Sequence, residues 1–376
     1  MELFPPQSQS YILAFQFSSW YPVFHSNSIK STIIRPLSQE FLNYLNADQV
    51  FVPKGSEDVS VESSLSDDED EDEGSSDSDE NIYEFLELDE KIRAVVKEYG
   101  AVFPKLNFSS PKVLVVVSLV SVSRSLLTKA LAQKDASWIL PASSPLKCTS
   151  PADVYLLLKS SDFISHDLSR STVFDGCEQV ASESYDLELV LRKWYSVDRS
   201  RELRCFVRDN ALLGISQRDT NYYDFLNDPN THSKVMNTTM EFWKTKIQPK
   251  WKAETSYVFD LLLTRDLSRA HIIDFNPYAP RTDPLLFSYE ELKDILSEHS
   301  STDASNDSIL QPQFRVIDSP LHPAASCKAP ANQHNMVPFE ALSLSNGRDI
   351  EDFKEIWEKS IKESLQEEQN DNEEGL

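Results

Sequence analysis

A change of hydrophobic period near the middle of the chain sets the fold class. Helical periodicity marks Ser38–Leu45 and Tyr83–Tyr99, whereas from Asp186 onward apolar and polar residues alternate with a period of two, which is typical of β-strands. Short polar turns separate several of the alternating runs, and short turns join antiparallel strands. The runs are Leu187–Leu191, Leu203–Val207, Ala211–Ser216, Tyr257–Thr264 and Ala270–Asn276. The sequence therefore predicts an α+β fold with an antiparallel sheet.

Several enzyme classes are excluded by motifs that the chain lacks. Only 7 of its 376 residues are glycine, and neither GxxxxGK[ST] nor GxGxxG occurs, which argues against P-loop, Rossmann and typical kinase folds. There is no HExxH zinc motif, and without a GxSxG nucleophile elbow covalent catalysis has no support from motifs. The formal net charge of −25 argues against sequence-independent binding to nucleic acid.

That negative charge is concentrated in two segments. Residues 57–80 contain 13 Asp or Glu and no Lys or Arg, and residues 349–376 contain 11 acidic and 3 basic residues. Low hydrophobicity with high charge predicts disorder. The predicted organisation is an N-terminal segment of a first lobe (1–53), a disordered acidic loop (54–80), the remainder of the first lobe (81–185), a sheet lobe (186–299) and a flexible acidic tail with a short helix at Ile350–Leu365 (300–376).

Cysteine usage and hydropathy bear on the compartment. The four cysteines, Cys148, Cys177, Cys205 and Cys327, show no metal-ligand spacing and are expected to be reduced thiols. The apolar run Val113–Val120 is followed too soon by Arg124 for a membrane span. We expect a cytoplasmic monomer without membrane contact.

A predicted hairpin carries the most informative polar residues. If Arg265 and Arg269 flank its turn, Asp260 lies directly opposite Asp274, and Asn276 lies two residues further on the same face. Opposed carboxylates repel, and a divalent cation such as Mg²⁺ would remove that penalty. The alternative, which these residues taken alone favour, is a hairpin whose polar face meets water.

Basic residues on the neighbouring strands favour the first interpretation. Arg192, Lys193, Arg204 and Arg218 lie among Glu188, Glu202 and Asp219 in the same block of strands. Cations and carboxylates on one sheet face are the groups that neutralise a triphosphate and its metal. Each alone is more often a solvated surface charge, and together they indicate a nucleotide and metal site.

Several collinear runs of the chain resemble the cell division cycle protein 123 family over residues 11–295. The runs are Gln16-Phe-Ser-Ser-Trp-Tyr-Pro22, Phe103-Pro-Lys-Leu-Asn-Phe-Ser109, Leu191-Arg-Lys-Trp194, Leu203-Arg-Cys-Phe-Val207, Gly214-Ile-Ser-Gln-Arg-Asp219 and Ile273-Asp-Phe-Asn-Pro277. The resemblance implies a two-lobed, atypical ATP-grasp fold. It also implies an assembly chaperone that binds the gamma subunit of eukaryotic translation initiation factor 2 and promotes its union with alpha, and so serves translation initiation and cell-cycle progression.

The resemblance also implies the ligands and the residues that hold them. ATP would lie against Lys105, Trp138, Arg192, Lys193, Trp194, Glu202, Arg204 and Arg218, and Mg²⁺ would be held by Asp260, Asp274 and Asn276. The same groups would serve an ATP-grasp ligase that activates a carboxylate, and this is the alternative function.

One segment departs from the family pattern. Residues 113–134, rich in Val, Ser and Leu, separate Lys112 from the Asp135-Ala-Ser-Trp-Ile139 stretch that the family joins directly to it. A retained intron in the gene model fits these boundaries, since valine codons begin with GT and AAG encodes lysine. The alternative is a true surface helix from Ser123 to Ala132.

Overall fold

The protein is described from a computed structural model. The structure describes residues 2–47, 52–57, 83–111, 146–177, 184–302 and 311–326. Backbone contacts divide the chain into two units, Met1–Cys327 and Lys328–Leu376, and the second lies outside the described residues. The segment 113–134, Trp138, residues 58–80 of the acidic loop and the predicted helix Ile350–Leu365 lie outside them too.

Two β-sheets form the framework of the described chain. A three-stranded sheet has the order β1-β3-β2, and both pairings are antiparallel. A five-stranded sheet has the order β7-β6-β4-β5-β8, antiparallel except for the parallel pair β5–β8. The strands are β1 (Ser31–Ile34), β2 (Val102–Lys105), β3 (Leu189–Lys193), β4 (Glu202–Arg208), β5 (Ala211–Gln217), β6 (Tyr257–Leu263), β7 (Ala270–Pro277) and β8 (Gln313–Arg315). The predicted α+β class with antiparallel sheets is confirmed.

Helices pack around these sheets. They are α1 (Gln9–Ala14), α2 (Phe17–Phe24), α3 (Gln39–Asn46), α4 (Leu86–Tyr99), α5 (Pro151–Lys159), α6 (Ser165–Leu168), α7 (Arg170–Val173), α8 (Pro229–Phe242), α9 (Tyr289–Thr302) and α10 (Pro323–Ser326). One turn of π-helix, Trp243–Ile247, continues α8. None of the helices in the described ranges is long and apolar enough to span a bilayer.

Local sequence cues account for several helix ends. The side chain of Ser38 accepts a hydrogen bond from the Phe41 amide and caps α3. Helix α4 ends at Gly100, whose φ of 81° lies in the left-handed region that favours glycine. The Ser150 side chain and the Asp153 carboxylate at the start of α5 form a reciprocal capping box.

The five-stranded sheet has a hydrophobic cluster on each face. Alternate residues of β4 and β6, including Leu203, Cys205 and Phe259, pack with α2 and α8 on one face. On the other face, Phe206 and Val258 pack against residues of α9 such as Leu292. The three-stranded sheet contributes Leu189 and Leu191 to a further cluster with residues of α3, α4 and α5. Each face is thus buried by the period-two pattern of its strands.

The structure differs from the sequence-based organisation in three places. Strand β3 was predicted to belong to the sheet lobe that begins at residue 186, but it pairs with β1 and β2, so the boundary between the sheets lies after Lys193. Lys54, predicted to begin the disordered loop, forms a bridge with Glu84, and Ser56 is fully buried. Residues 311–326 were predicted as flexible tail, yet β8 pairs with β5 and Ile317 is fully buried.

Candidate functional site

Two carboxylates face each other at the centre of the hairpin β6–β7. Asp260 pairs directly with Asp274, and Val258 pairs with Asn276, so the predicted register is confirmed over this half of the hairpin. A β-bulge between Asp260 and Leu261 shifts the register by one residue on the side of the turn. The side chain of Asp260 is 2 % exposed and that of Asp274 is 16 % exposed. Both acids therefore need a positively charged partner.

Asp260 has that partner on the adjacent strand. Arg204 is its register partner on β4 and donates to it twice, from Nε to Oδ1 at 2.8 Å and from Nη2 to Oδ2 at 2.9 Å. Arg218 Nε lies 3.4 Å from Oδ2. Burial by itself raises the pKa of the Asp260 carboxyl, but the two guanidinium groups outweigh it and hold that pKa below its usual value. Asp260 is therefore ionised in the folded protein near neutral pH.

Asp274 has its partner in the other sheet. Lys105 ends β2, its side chain is 1 % exposed, and its Nζ donates to Asp274 Oδ2 at 2.7 Å. Lys105 Nζ also donates to the carbonyl oxygen of Phe108. The ion pair joins residues 169 positions apart in sequence and links the three-stranded sheet to the five-stranded sheet. These contacts correct one step of the sequence argument, because Arg204 and Lys105 already offset the repulsion that a divalent cation was expected to remove.

Arg192 is a buried cation with unused hydrogen-bond donors. It lies on the same face of β3 as Val190, the register partner of Lys105, and the residue is 5 % exposed. Its Nε and Nη2 have no hydrogen-bond partner among the described residues. Its guanidinium lies 5.8 Å from the centre of the Phe17 ring. Burial lowers the pKa of Arg192, against the opposing effect of Asp274. Because a buried polar group without a partner is costly, these donors indicate a site for an anion.

Arg218 and Glu202 extend the cluster toward solvent. Arg218 Nη1 donates to Glu202 Oε2 at 2.7 Å, and both side chains are partly exposed. Burial lowers the pKa of Arg218, but the Asp260 carboxylate outweighs that effect and the net pKa is raised. The cluster thus combines the four cations Lys105, Arg192, Arg204 and Arg218 with the three carboxylates Glu202, Asp260 and Asp274.

Two other predicted residues lie at the end of β3 and outside these ion pairs. Strand alternation places the Lys193 side chain on the opposite face from Arg192, and its Nζ lies 5.6 Å from the centre of the Tyr195 ring. Trp194 donates its backbone amide to the Ala101 carbonyl at 3.0 Å, and Lys147 Nζ lies 5.8 Å from the centre of its ring. The predicted roles of Lys193, Trp194 and Trp138 stay predictions.

Two hydrogen bonds to backbone carbonyls at the site could not be predicted from the sequence. Arg204 Nη1 donates to the carbonyl of Asp283 at 2.9 Å, and Lys105 Nζ donates to the carbonyl of Phe108. Every residue has a carbonyl, so side-chain identity could not reveal either contact. With them, the buried cations Arg204 and Lys105 each have both a carboxylate and a neutral acceptor.

The family resemblance implies two ligands, ATP and Mg²⁺, and the candidate site fits them to different extents. The unused donors of Arg192 and the buried Nδ2 of Asn276, which has no partner among the described residues, fit a polyanion such as a nucleotide phosphate. Both oxygens of Asp260 accept hydrogen bonds from Arg204. Asp274 and Asn276 therefore have more capacity than Asp260 to coordinate a metal ion. Within the described ranges no group of three His, Cys, Asp or Glu could hold a metal ion. Mg²⁺ usually binds through one or two carboxylates together with phosphates, which this donor set allows.

Comparisons with known proteins match most of the chain. At the sequence level, the family described as D123 matches residues 20–118 and 130–345, and the interruption falls inside the segment 113–134. The "Translation initiation factor eIF2 assembly protein" of Vanderwaltozyma polyspora is 34 % identical over 94 % of this chain and 92 % of its own length. The protein of the same name from Schizosaccharomyces pombe is 33 % identical over 93 % and 96 %, respectively. "Cell division cycle protein 123" of Yarrowia lipolytica is 32 % identical over 90 % and 80 %, respectively.

A solved structure agrees with these sequence matches. The structure of Cdc123 from Schizosaccharomyces pombe superposes with a TM-score of 0.57 at 30 % identity, and the match covers 83 % of this chain and 99 % of that one. The residues that the family model matches include the strands of both sheets and the Lys105–Asp274 ion pair that joins them. The chain therefore belongs to the D123 family.

Proposed function

We propose that this chain binds ATP with Mg²⁺ between its two sheets and acts as an assembly chaperone for eukaryotic translation initiation factor 2. In this proposal it binds the gamma subunit first, promotes the union of gamma with alpha in the cytoplasm, and so supports translation initiation and cell-cycle progression. The fold is then an atypical ATP-grasp in which the two sheets enclose the nucleotide.

The observation that carries the nucleotide proposal is the buried guanidinium of Arg192. Its Nε and Nη2 have no partner in the described part of the chain, although the residue is almost fully buried. A phosphate group would accept both hydrogen bonds and offset the buried charge. Lys105 and Arg218 then supply further positive charge, while Arg204 is held in place by Asp260.

The carboxylates have a complementary role. Asp274 and Asn276 would hold a Mg²⁺ ion that enters with the phosphates, and this ion would neutralise their charge and fix their orientation. Asp274 presents its second oxygen, Oδ1, which accepts only the amide of the adjacent Phe275 at 3.1 Å among its described contacts. Lys105 and the metal would therefore share one carboxylate, with the ammonium on Oδ2.

Family membership carries the chaperone proposal. Relatives that match more than nine-tenths of this chain are named as assembly proteins of translation initiation factor eIF2. A relative named for the cell division cycle matches nine-tenths of it. The matched residues include both sheets, so the proposed nucleotide site belongs to the shared part.

Calorimetric titration with Mg²⁺-ATP tests the ligand. We expect the wild-type protein to bind, the Asp274→Ala variant to lose binding, and Asp294→Ala, which removes an exposed carboxylate of α9, to match the wild type. Equal heats for wild type and Asp274→Ala would refute the metal site. A matched binding assay with purified alpha and gamma subunits tests the partners: the chain is expected to retain gamma alone and to increase the yield of the alpha–gamma complex. Phosphate release that depends on a small carboxylate and needs no subunit would instead identify a ligase.

A further inference from the structure

The loop that follows β2 holds one of the two acceptors of Lys105. Lys105 Nζ donates to the carbonyl of Phe108, three residues along the chain, and the Leu106 amide donates to the Ser109 carbonyl at 2.9 Å. Lys105 is 1 % exposed, so its ammonium depends on these fixed acceptors. The position of the loop therefore determines where the ammonium lies.

A buried carboxylate from another part of the chain anchors this loop. Asp167 of α6 is fully buried, and its Oδ2 accepts the amides of Phe108 and Ser109, each at 2.8 Å. Its Oδ1 accepts the Ser109 hydroxyl at 2.8 Å and lies 2.8 Å from His166 Nδ1. Hydrogen bonds to an ionised acceptor are about twice as strong as those between neutral groups.

Asn107 anchors the same loop on its other side. Its side chain accepts the Glu188 amide and donates to the Asp186 carbonyl, both at 2.8 Å, and its carbonyl accepts the Phe17 amide at 2.9 Å. The loop is thus fastened to the start of β3 by Asn107 and to α6 by Asp167. Between these two anchors, only the Phe108 carbonyl contacts the ammonium.

We propose that Asp167 is a positioning residue for Lys105: it holds Phe108 so that the Phe108 carbonyl and the Asp274 carboxylate fix the buried ammonium where it meets phosphate. The geometric part of this inference stands on contacts of the protein alone, and its consequence for ATP rests on the proposed function. Asp167 itself contacts the loop and not the ion-pair cluster, so its effect on the ligand passes through Lys105.

The chain contains a matched control for the Asp167→Asn variant. Asp153 also accepts two consecutive backbone amides and one hydroxyl, from Thr149 and Ser150 at the cap of α5. Asp153→Asn therefore removes the same charge from a cluster of the same kind, without a contact to the loop of Lys105. Both variants therefore lose a carboxylate that accepts backbone amides, and only Asp167→Asn alters the loop of Lys105.

The first measurement requires no nucleotide. Limited reductive dimethylation, followed by peptide mass spectrometry, reports the accessibility of Lys105 Nζ relative to the exposed Lys252. In Asp167→Asn we expect Lys105 to react about tenfold faster, since the hydrogen bonds that hold its loop are weakened. In Asp153→Asn we expect the wild-type rate.

The second measurement is the affinity for Mg²⁺-ATP. We expect Asp167→Asn to bind about tenfold more weakly and Ser109→Ala, which loses one hydrogen bond to Asp167, about threefold more weakly. Asp153→Asn is expected to bind as the wild type does. If Asp167→Asn does not fold, Ser109→Ala carries both measurements.

The outcomes separate this inference from the proposed function. If Lys105 is labelled at the same rate in Asp167→Asn as in Asp153→Asn, the positioning role is overturned. Where Ser109→Ala replaces Asp167→Asn, the same comparison applies to it. A wild-type protein that binds no Mg²⁺-ATP overturns the nucleotide proposal, while the labelling result still decides whether Asp167 positions Lys105.

Discussion

Arg204 and Asp260 form a bidentate ion pair across β4 and β6, with both carboxylate oxygens bonded to one guanidinium at 2.8 and 2.9 Å. The pair is almost fully buried, and Arg218 approaches the same carboxylate at 3.4 Å. Removing one member of a buried pair leaves the other charged and unsatisfied, which costs about 3–5 kcal/mol. The centre of the candidate site is therefore also a major determinant of folding stability.

The first prediction concerns acid stability. The pKa of Asp260 is held below its unfolded value, so its contribution to the free energy of unfolding is present above an unfolded pKa of about 3.9 and is lost as the pH falls through the lower folded pKa. We expect Asp260→Asn to lose about 3–5 kcal/mol at pH 7 and to show a flatter decline between about pH 5 and 2 than the wild type.

Urea unfolding at a series of pH values measures both effects. The control is Asp294→Asn, which alters an exposed carboxylate on α9 and is expected to keep the acid dependence of the wild type. An identical acid slope for Asp260→Asn and the wild type would contradict the prediction.

The second prediction separates stability from ligand binding. Replacing both members of a buried ion pair by apolar residues is often neutral or stabilising, whereas single replacements are costly. We expect the double variant Arg204→Met with Asp260→Leu to be more stable than either single variant by at least about 1 kcal/mol. The same double variant is expected to bind Mg²⁺-ATP more weakly, because it lacks the cation and the carboxylate of the site. A double-mutant cycle, measured by urea unfolding and calorimetry, tests both expectations.

The third prediction concerns Arg192. Because its buried donors have no partner among the described residues, Arg192→Met removes an unsatisfied charge, and we expect the unliganded protein to be at least as stable as the wild type. Its affinity for Mg²⁺-ATP is expected to fall about tenfold to a hundredfold, the cost of losing charge-assisted hydrogen bonds.

Lys193→Met is the matched comparison for that variant. Its side chain lies on the opposite face of β3 beside Tyr195, so we expect a smaller loss of affinity than for Arg192→Met. Thermal unfolding and calorimetry on the two variants distinguish the faces. An equal loss of affinity in both variants would contradict the expectation that β3 contacts the nucleotide through the face that carries Arg192.

The fourth prediction concerns packing beside the site. Gly214 of β5 lies under α9, and a Cβ placed there would lie 2.9 Å from Phe287 Cζ and 3.1 Å from Leu292 Cδ2. Gly214→Ala is therefore expected to destabilise the protein by about 1–3 kcal/mol. Adding Phe287→Leu removes the closest ring atoms, and the double variant is expected to recover part of the loss. Thermal denaturation of the two single variants and the double variant tests this. If the double variant loses as much stability as the two single variants together, the prediction is wrong.

Local patterns in the sequence predicted the hairpin β6–β7 correctly, but they did not predict its register near the turn. The alternation and the turn gave the pairing of Asp260 with Asp274 correctly. Near the turn, however, Leu263 pairs with Ala270, one residue away from the predicted register, and the bulge beside Asp260 restores it. A bulge adds one residue to a strand without changing its composition much, so the pattern could not reveal it.

The N-terminus of helix α8, which begins with a proline, was not predicted from the sequence. The sequence pattern of Thr238–Ile247 predicts a helix over those residues. In the structure the helix begins nine residues earlier, at Pro229, where Asp228 accepts the Thr231 amide as N-cap. The apolar periodicity that led to the prediction covers only the last part of that helix, because its first turns are polar. Periodicity therefore located the buried end and not the exposed end.

Contacts between distant segments were the least predictable part. The pairing of Lys105 with Asp274 spans 169 residues, and the choice of β1 and β2 as partners for β3 depends on the packing of both sheets. Likewise, neither charge nor period distinguishes β8 from the polar sequence around it. The sequence predicts the acids and bases of the candidate site one by one, whereas the partner of each is set by the tertiary fold.

The short strand β8 has a practical consequence for work with fragments of this protein. It covers the outer edge of β5, with Phe314 opposite Ile215, and Arg315 lies over the Phe287 ring at 4.1 Å. A fragment that stops at residue 302 would leave the backbone groups of β5 open to pairing with a second molecule, the usual route to edge-to-edge aggregation. Shortened proteins intended for crystallisation or binding studies should therefore extend at least to residue 326.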